Sequence, residues 1–245
     1  MNSLLIKKLS EVSIKDVPEV GGKNASLGEM IQELTKKKGI PVPGGYVVTA
    51  TAYRHFIKET GLVDFIKETL TGLDTKNIPE LARRGKKIRE KIVETEFPGD
   101  LKEAIKEAHI EAEKEYGKGA DFAVRSSATA EDLPGASFAG EHETYLNIRG
   151  FEKTLEATRK AMASLFNDRA ISYRVDKKFD HFKVALSVGI QKMVRSDLSC
   201  SGIMFSLDTE SGFKDVVLIN GSWGLGEMVV QGQVTLMNSL FIKRH

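Results

Sequence analysis

Apolar and polar positions repeat with two different periods along this chain. Over residues 24–38 the apolar positions Leu27, Met30, Ile31 and Leu34 stand three and four apart, which predicts an amphipathic helix ended by Gly39 and Pro41. Pro43-Gly44-Gly45 predicts a turn, and residues 46–49 a short strand. Helices are predicted over 51–58 and 62–70, and longer, charged ones over 78–94 and 101–116. Their charged runs read as solvated helix faces. The texture then changes. Phe122-Ala123-Val124 reads as a buried strand running into a long loop rich in Ser, Thr, Gly and Ala over 126–140. Further strands are predicted at 144–148, 184–194, 202–207 and 216–220, with a helix in two pieces over 151–175 and a turn at 208–212. Helices dominate early and strands with short turns dominate late. The fold expected is α+β, a helical N-terminal part followed by a mostly antiparallel sheet.

Composition narrows the possibilities. The 245 residues, 41% hydrophobic, are enough to bury a core and allow one large domain or two small ones. Thirty-six basic against 34 acidic residues leave a net charge of +2, so charge alone argues for neither nucleic acid nor membrane as a partner. The single Cys200 excludes an internal disulfide framework and a cysteine-rich zinc site. It lies between two serines with no basic neighbours, and reads as structural rather than nucleophilic. One thiol in a polar chain fits a reducing cytoplasm. Leu4-Leu5-Ile6 is broken at once by Lys7-Lys8, so the start does not read as a signal peptide. No apolar run approaches the ~20 residues needed to cross a bilayer. The expectation is a soluble, cytoplasmic protein. His55, His109, His142, His181 and His245 have no metal-ligand spacing and read as surface or satisfied histidines.

Two segments carry candidate chemistry. In Val20-Gly21-Gly22-Lys23-Asn24, two glycines allow close backbone approach just before a helix, whose first amides favour an anion. Lys23 could neutralise phosphate there. The segment is not a Walker A loop: its first glycine is missing, and Asn24 stands where a Ser or Thr would meet magnesium. Taken alone, the segment reads more readily as a tight turn with an exposed lysine. The second segment runs from Val124 to Gly140, where Arg125 leaves a buried strand and Ser126-Ser127 open a small-residue loop suited to covering a phosphate. A surface loop with a structurally paired arginine is the other reading. Gly221-Ser222-Trp223-Gly224-Leu225-Gly226 lacks the third glycine of a dinucleotide fingerprint and reads as a turn.

Taken in order, these segments resemble the phosphoenolpyruvate synthases. The resemblance is carried by residues 21–30, by Pro41-Val42-Pro43-Gly44-Gly45, by the 125–140 loop, by 164–174, by Gln191-Lys192-Met193-Val194-Arg195-Ser196-Asp197, and by 202–212 and 224–232. It runs from about residue 9 to residue 234. The resemblance implies an ATP-grasp fold, incomplete in this chain. It implies an N-terminal lobe over 1–194 with a helical subregion at about 50–118, and the start of a second lobe over 195–235. It implies a phosphotransferase that converts ATP, pyruvate and water to AMP, phosphoenolpyruvate and phosphate by way of a phosphohistidine, a step of pyruvate metabolism and gluconeogenesis. On that pattern Lys23 and Arg125 are the catalytic, phosphate-holding residues, with Ser126, Ser127, Gly140 and Thr144 around the nucleotide and Gln191, Met193 and Val194 at the adenine. ATP is the implied cofactor, and magnesium is implied with ligands lying beyond residue 245, so no metal ligand is assigned here. The phosphohistidine motif and the pyruvate-binding barrel do not occur in the sequence. Activity by the isolated chain is therefore not expected, and nucleotide binding is expected to be weak. Self-association, or pairing with a separate C-terminal chain, is the partner expectation.

The last ten residues depart from that pattern. After Thr235 the family typically continues Pro-Asp-Glu-Phe, where this chain has Leu236-Met237-Asn238-Ser239-Leu240-Phe241-Ile242-Lys243. Removing one base from codons for Pro-Asp-Glu-Phe-Phe-Ile-Tyr-Lys yields Leu-Met-Asn-Ser-Leu-Phe-Ile followed by AA, the first two bases of a lysine codon. Residues 236–245 are thus expected to be a frameshift product. Two other functions compete with the synthase reading: a rifampicin phosphotransferase-like antibiotic kinase, which shares the lysine and the loop, and a non-catalytic nucleotide-binding module.

Overall fold

A computed structural model describes residues 4–129, 143–235 and 237–243. It is α+β with antiparallel sheets and divides into two compact units, Met1–Met193 and Val194–His245.

The first unit is built on an antiparallel sheet whose strands lie in the order β1 (Ile6–Lys8), β2 (Gly45–Val48), β5 (Leu186–Lys192), β3 (Phe122–Ala128), β4 (Thr144–Ile148). β5 is central, and its residues 186–190 are all buried. Alternation along the strands gives the sheet two differently dressed faces. One face carries Phe122, Val124, Val188, Ile190, Tyr46 and Val48, which join the main hydrophobic core. Helices α2 (Ala50–Glu59), α3 (Leu62–Leu70), α4 (Ile78–Glu94), α5 (Gly99–Tyr116), α6 (Phe151–Ala163) and α7 (Asp168–Asp176) contribute to that core through residues such as Phe56, Ile66, Ile88, Ile105, Met162 and Ile171. The opposite face takes helix α1 (Val17–Met30), which closes a smaller core of Leu9, Val12, Val20, Ala25, Ile31 and Val47.

Local chemistry explains the element ends. Thr49 caps α2 by accepting from the Ala52 amide, Asn77 caps α4 with Pro79 in its first turn, and Asn167 caps α7 through the Ala170 amide at 2.7 Å. The helix expected at 24–38 is the second part of a longer element. α1 begins at Val17, breaks at Gly21 (φ 70°, ψ 163°), resumes, and passes through a widened turn over Ile31–Lys36. β1 was not expected from the sequence, where Leu4-Leu5-Ile6 stood out only as a short apolar run; its three residues pair with Val48, Val47 and Tyr46. β3 continues to Ala128, into what reads as loop, because Ser126, Ser127 and Ala128 pair with Val188, Ser187 and Leu186. β5 is shorter than the 184–194 expected and ends at Lys192.

The second unit is an antiparallel sheet of β6 (Cys200–Phe205), β7 (Val216–Trp223) and β8 (Met237–Ile242), with the short helix α8 (Gly226–Val230). β8 comes from the segment with the divergent sequence, and all six of its residues are exposed. Its register places Leu240 opposite Leu218 and Ile242 opposite Val216. Lys243 then donates through Nζ to the carbonyls of Ser206 (2.6 Å) and Lys214. Cys200 is exposed at the start of β6. Among the described residues no helix is long and apolar enough to cross a membrane.

Candidate nucleotide site

Strand register brings the sequence-predicted residues together. Residues opposite one another in an antiparallel pair share a face. Arg125 stands opposite Gly189 on β5 and opposite Thr144 on β4, and Gln191 stands opposite Ala123 and Gly45. Arg125, Thr144 and Gln191 therefore lie on the face that α1 covers. The reason is parity: Phe122 and Val124 go into the main core, so Arg125 must point the other way. Gly189 has no side chain to compete with it.

Along α1, Gly22, Lys23, Ser26, Leu27 and Met30 follow the same three-and-four spacing and form one wall of a cleft of about 520 Å³. Arg125 and Gln191 form the opposite wall. The cleft thus contains two cationic side chains, Lys23 and Arg125, drawn from positions a hundred residues apart, and among the described residues its lining includes no carboxylate. Leu27 and Met30 add an apolar strip. The arrangement suits a ligand with both a polyanionic part and a flat apolar part.

Helix geometry adds to the anion preference. The break at Gly21 restarts α1 at Gly22, so the first amides of the resumed helix have no acceptor one turn earlier. Gly21 is required at this point. A Cβ there would come within 2.6 Å of the Ser127 carbonyl and 2.8 Å of the Ala128 carbonyl, in a backbone conformation that side-chain-bearing residues rarely adopt.

The remaining predicted residues are distributed as follows. Gln191 Nε2 donates to the Pro43 carbonyl at 3.0 Å, which ties the amide to the turn before β2. Met193 donates its backbone N–H to the Asp121 carbonyl at 2.9 Å, holding the exit of β5 beside the entry of β3. Asp121 is itself buried and ion-paired to Arg149. Thr144 is exposed beside Arg125. Ser126 and Ser127 are both fully buried; Ser126 lies on the core side, and the Ser127 hydroxyl sits beneath Gly21 without a hydrogen-bond partner. Val194 belongs to the second unit and is 64% exposed. Gly140 lies outside the described residues.

Sequence reasoning overlooked Ser26 and the cleft-lining part of Leu27 and Met30. Their helical spacing was visible but pointed to core, and only Ile31 of that group is fully packed inward, while Met30 is 46% exposed. Asn24, which stands where a Walker A loop would have its Ser or Thr, is 4% exposed and turned into the protein.

Histidine chemistry lies elsewhere. His181 accepts from Arg174 Nε through Nδ1 at 2.9 Å, and burial, with the guanidinium beside it, holds its pKa down to about 4. His109 is buried, with Nδ1 3.4 Å from the Tyr46 hydroxyl and Nε2 4.0 Å from a Glu113 carboxylate oxygen. His142 and His245 lie outside the described residues. Among the described residues no group of three or more His, Cys, Asp or Glu side chains gathers as a metal site. A larger recess, about 830 Å³, lies between α2, α3 and Asp180–Phe182. It contains none of the predicted site residues; Ile57, Val63, Ile66 and Leu70 line it together with the exposed cations Arg54, Lys58 and Lys67.

Comparison with known proteins gives the family that the sequence pattern resembles. Residues 17–244 match the family described as pyruvate phosphate dikinase, AMP/ATP-binding domain, a range that includes β8. The chain is 56% identical over 232 residues to phosphoenolpyruvate synthase of Aquifex aeolicus, covering 94% of this chain and 27% of that protein. It is 52% identical over 233 residues to phosphoenolpyruvate synthase of Escherichia coli, covering 95% and 29%. It is 51% identical over 228 residues to the probable phosphoenolpyruvate synthase of Methanocaldococcus jannaschii, covering 93% and 19%. The chain thus spans less than a third of the length of these relatives.

Proposed function

The chain belongs to the pyruvate phosphate dikinase AMP/ATP-binding domain family, and we propose that the cleft between α1 and the β3–β5 face binds ATP for phosphoryl transfer. The observation that carries this reading is the convergence of Lys23 and Arg125 on one cleft. Two fixed cations stabilise the negative charge of a phosphate chain, and they stabilise it more strongly as charge redistributes during transfer. In this reading the resumed N-terminus of α1 and Lys23 hold the distal phosphates. Arg125, on a rigid strand, holds the transferring group. Gln191 and Met193 meet the adenine at the end of β5.

The names and identities of the relatives support a specific reaction. The chain is the nucleotide-binding part of a phosphoenolpyruvate synthase, in which a histidine outside this sequence keeps one phosphoryl group from ATP, the second passes to water as phosphate to leave AMP, and pyruvate later receives the histidine's phosphoryl group. ATP, pyruvate and water would become AMP, phosphoenolpyruvate and phosphate. The fold in this reading is the first part of an ATP-grasp domain.

Displacement of a fluorescent ATP analogue tests the binding step. ATP is expected to displace the probe, and adenosine to do so much less well. Arg125→Ala is expected to weaken ATP by about tenfold or more, the loss of one charge-assisted contact. Equal displacement by ATP and adenosine, or an Arg125→Ala protein that binds as the parent does, would sink the reading.

A further inference from the structure

The turn that carries Lys23 is fastened at both ends by one buried hydroxyl. Ser187, on the central strand, is fully buried. Its Oγ donates to the carbonyl of Val20, the residue before the turn. The same Oγ accepts from Asn24 Nδ2 at 3.0 Å, the residue after Lys23. The hydroxyl thus spans Val20 to Asn24 and binds the whole Gly21-Gly22-Lys23 turn to β5. Its remaining near neighbour, the Ser127 carbonyl at 3.3 Å, belongs to β3.

Two glycines make room for this arrangement. Gly21 lies against the Ser127 and Ala128 carbonyls too closely for any side chain. Gly189, the strand partner of Arg125, lies against the Asn24 amide: a Cβ there would clash with Oδ1 and stand 3.2 Å from Cγ. Asn24 therefore occupies the space beside the residue opposite Arg125. The turn bearing one cation and the strand bearing the other are registered through the same few atoms.

We propose that Ser187 and Asn24 are positioning residues that fix Lys23 relative to Arg125, so that the two cations are pre-set at the spacing of a phosphate chain. This rests on the nucleotide reading above. Neither side chain lines the cleft, so neither touches the ligand. Their effect passes through the turn. Binding energy otherwise spent on ordering the turn is retained when it is already fastened.

The test is a pair of calorimetric titrations, ATP and adenosine, on the 245-residue chain and its variants. A loss of folded protein lowers the active fraction equally in both titrations, whereas a misplaced Lys23 weakens only the phosphate-bearing ligand. Ser187→Ala is expected to weaken ATP about fivefold to tenfold, with adenosine unchanged. Ser187→Thr, which keeps the hydroxyl, is expected to regain most of the ATP affinity. Lys23→Ala is expected to cost less in the Ser187→Ala background than in the parent, since the two act through one contact.

Should Ser187→Ala fail to fold, Asn24→Ala is scored on the same two titrations. If the parent binds ATP and Lys23→Ala weakens it, but the latch variant binds ATP as the parent does, the positioning role is overturned and the nucleotide reading stands. If Lys23→Ala itself leaves ATP affinity unchanged, the nucleotide reading has failed first.

Discussion

Replacing Gly21 by alanine adds one methyl group at the point where α1 restarts, and the structure predicts a disproportionate effect. Two costs combine. The backbone at φ 70°, ψ 163° lies in a region open essentially to glycine, worth about 1–3 kcal/mol for any other residue. The added Cβ would also overlap the Ser127 and Ala128 carbonyls at 2.6 and 2.8 Å. Those atoms belong to a paired strand and cannot move freely, so overpacking adds about 1–3 kcal/mol. A combined loss of about 3 kcal/mol lowers the melting temperature of a domain this size by about 6–12 °C. Gly39 supplies the control. Its φ is also positive, at 68°, but a Cβ there meets nothing within 4 Å. Gly39→Ala is therefore expected to cost about 1 kcal/mol, from the backbone alone. Differential scanning calorimetry on the two variants separates the terms. Equal melting temperatures for Gly21→Ala and Gly39→Ala would refute the claim that the turn is pressed against β3.

Two further outcomes are expected. His181 has a folded pKa of about 4 against an ordinary 6.5, so the unfolded chain takes up its proton first as pH falls. Its contribution to stability is complete above about pH 6.5 and declines progressively toward about pH 4; urea midpoints at about pH 7 and about pH 5 should differ more for the parent than for His181→Asn, and equal pH slopes would contradict this. For residues 236–245 we propose a one-base frameshift. Sequencing the gene through codon 235 and beyond should show that one added base restores Pro-Asp-Glu-Phe in an open frame, and a confirmed sequence with no such frame would exclude it.

Much of the architecture was legible because it rests on local periodicity. The three-and-four spacing in α3 and α4 gives their bounds, Leu62–Leu70 and Ile78–Glu94, directly. Thr144–Ile148 was readable as a strand from its β-prone residues. What periodicity missed depended on partners remote in sequence. β1 is three residues long and exists because Val48, Val47 and Tyr46 offer it a sheet edge. Ser126 to Ala128 carry turn-like residues but are drawn into β3 by pairing with β5. The candidate site divides the same way. Lys23 and Arg125 could be named from residue type and setting, whereas their meeting depends on which face α1 covers. The inward turn of Asn24 toward Ser187, 163 residues away, has no local signal at all.

A crystal structure of the chain with a non-hydrolysable ATP analogue tests the central claim most directly. The account predicts phosphate oxygens within about 3 Å of Lys23 Nζ and of the Arg125 guanidinium, with the adenine near Gln191 and Met193. A nucleotide bound elsewhere, for instance in the recess between α2 and α3, with Lys23 and Arg125 free of phosphate, would contradict it.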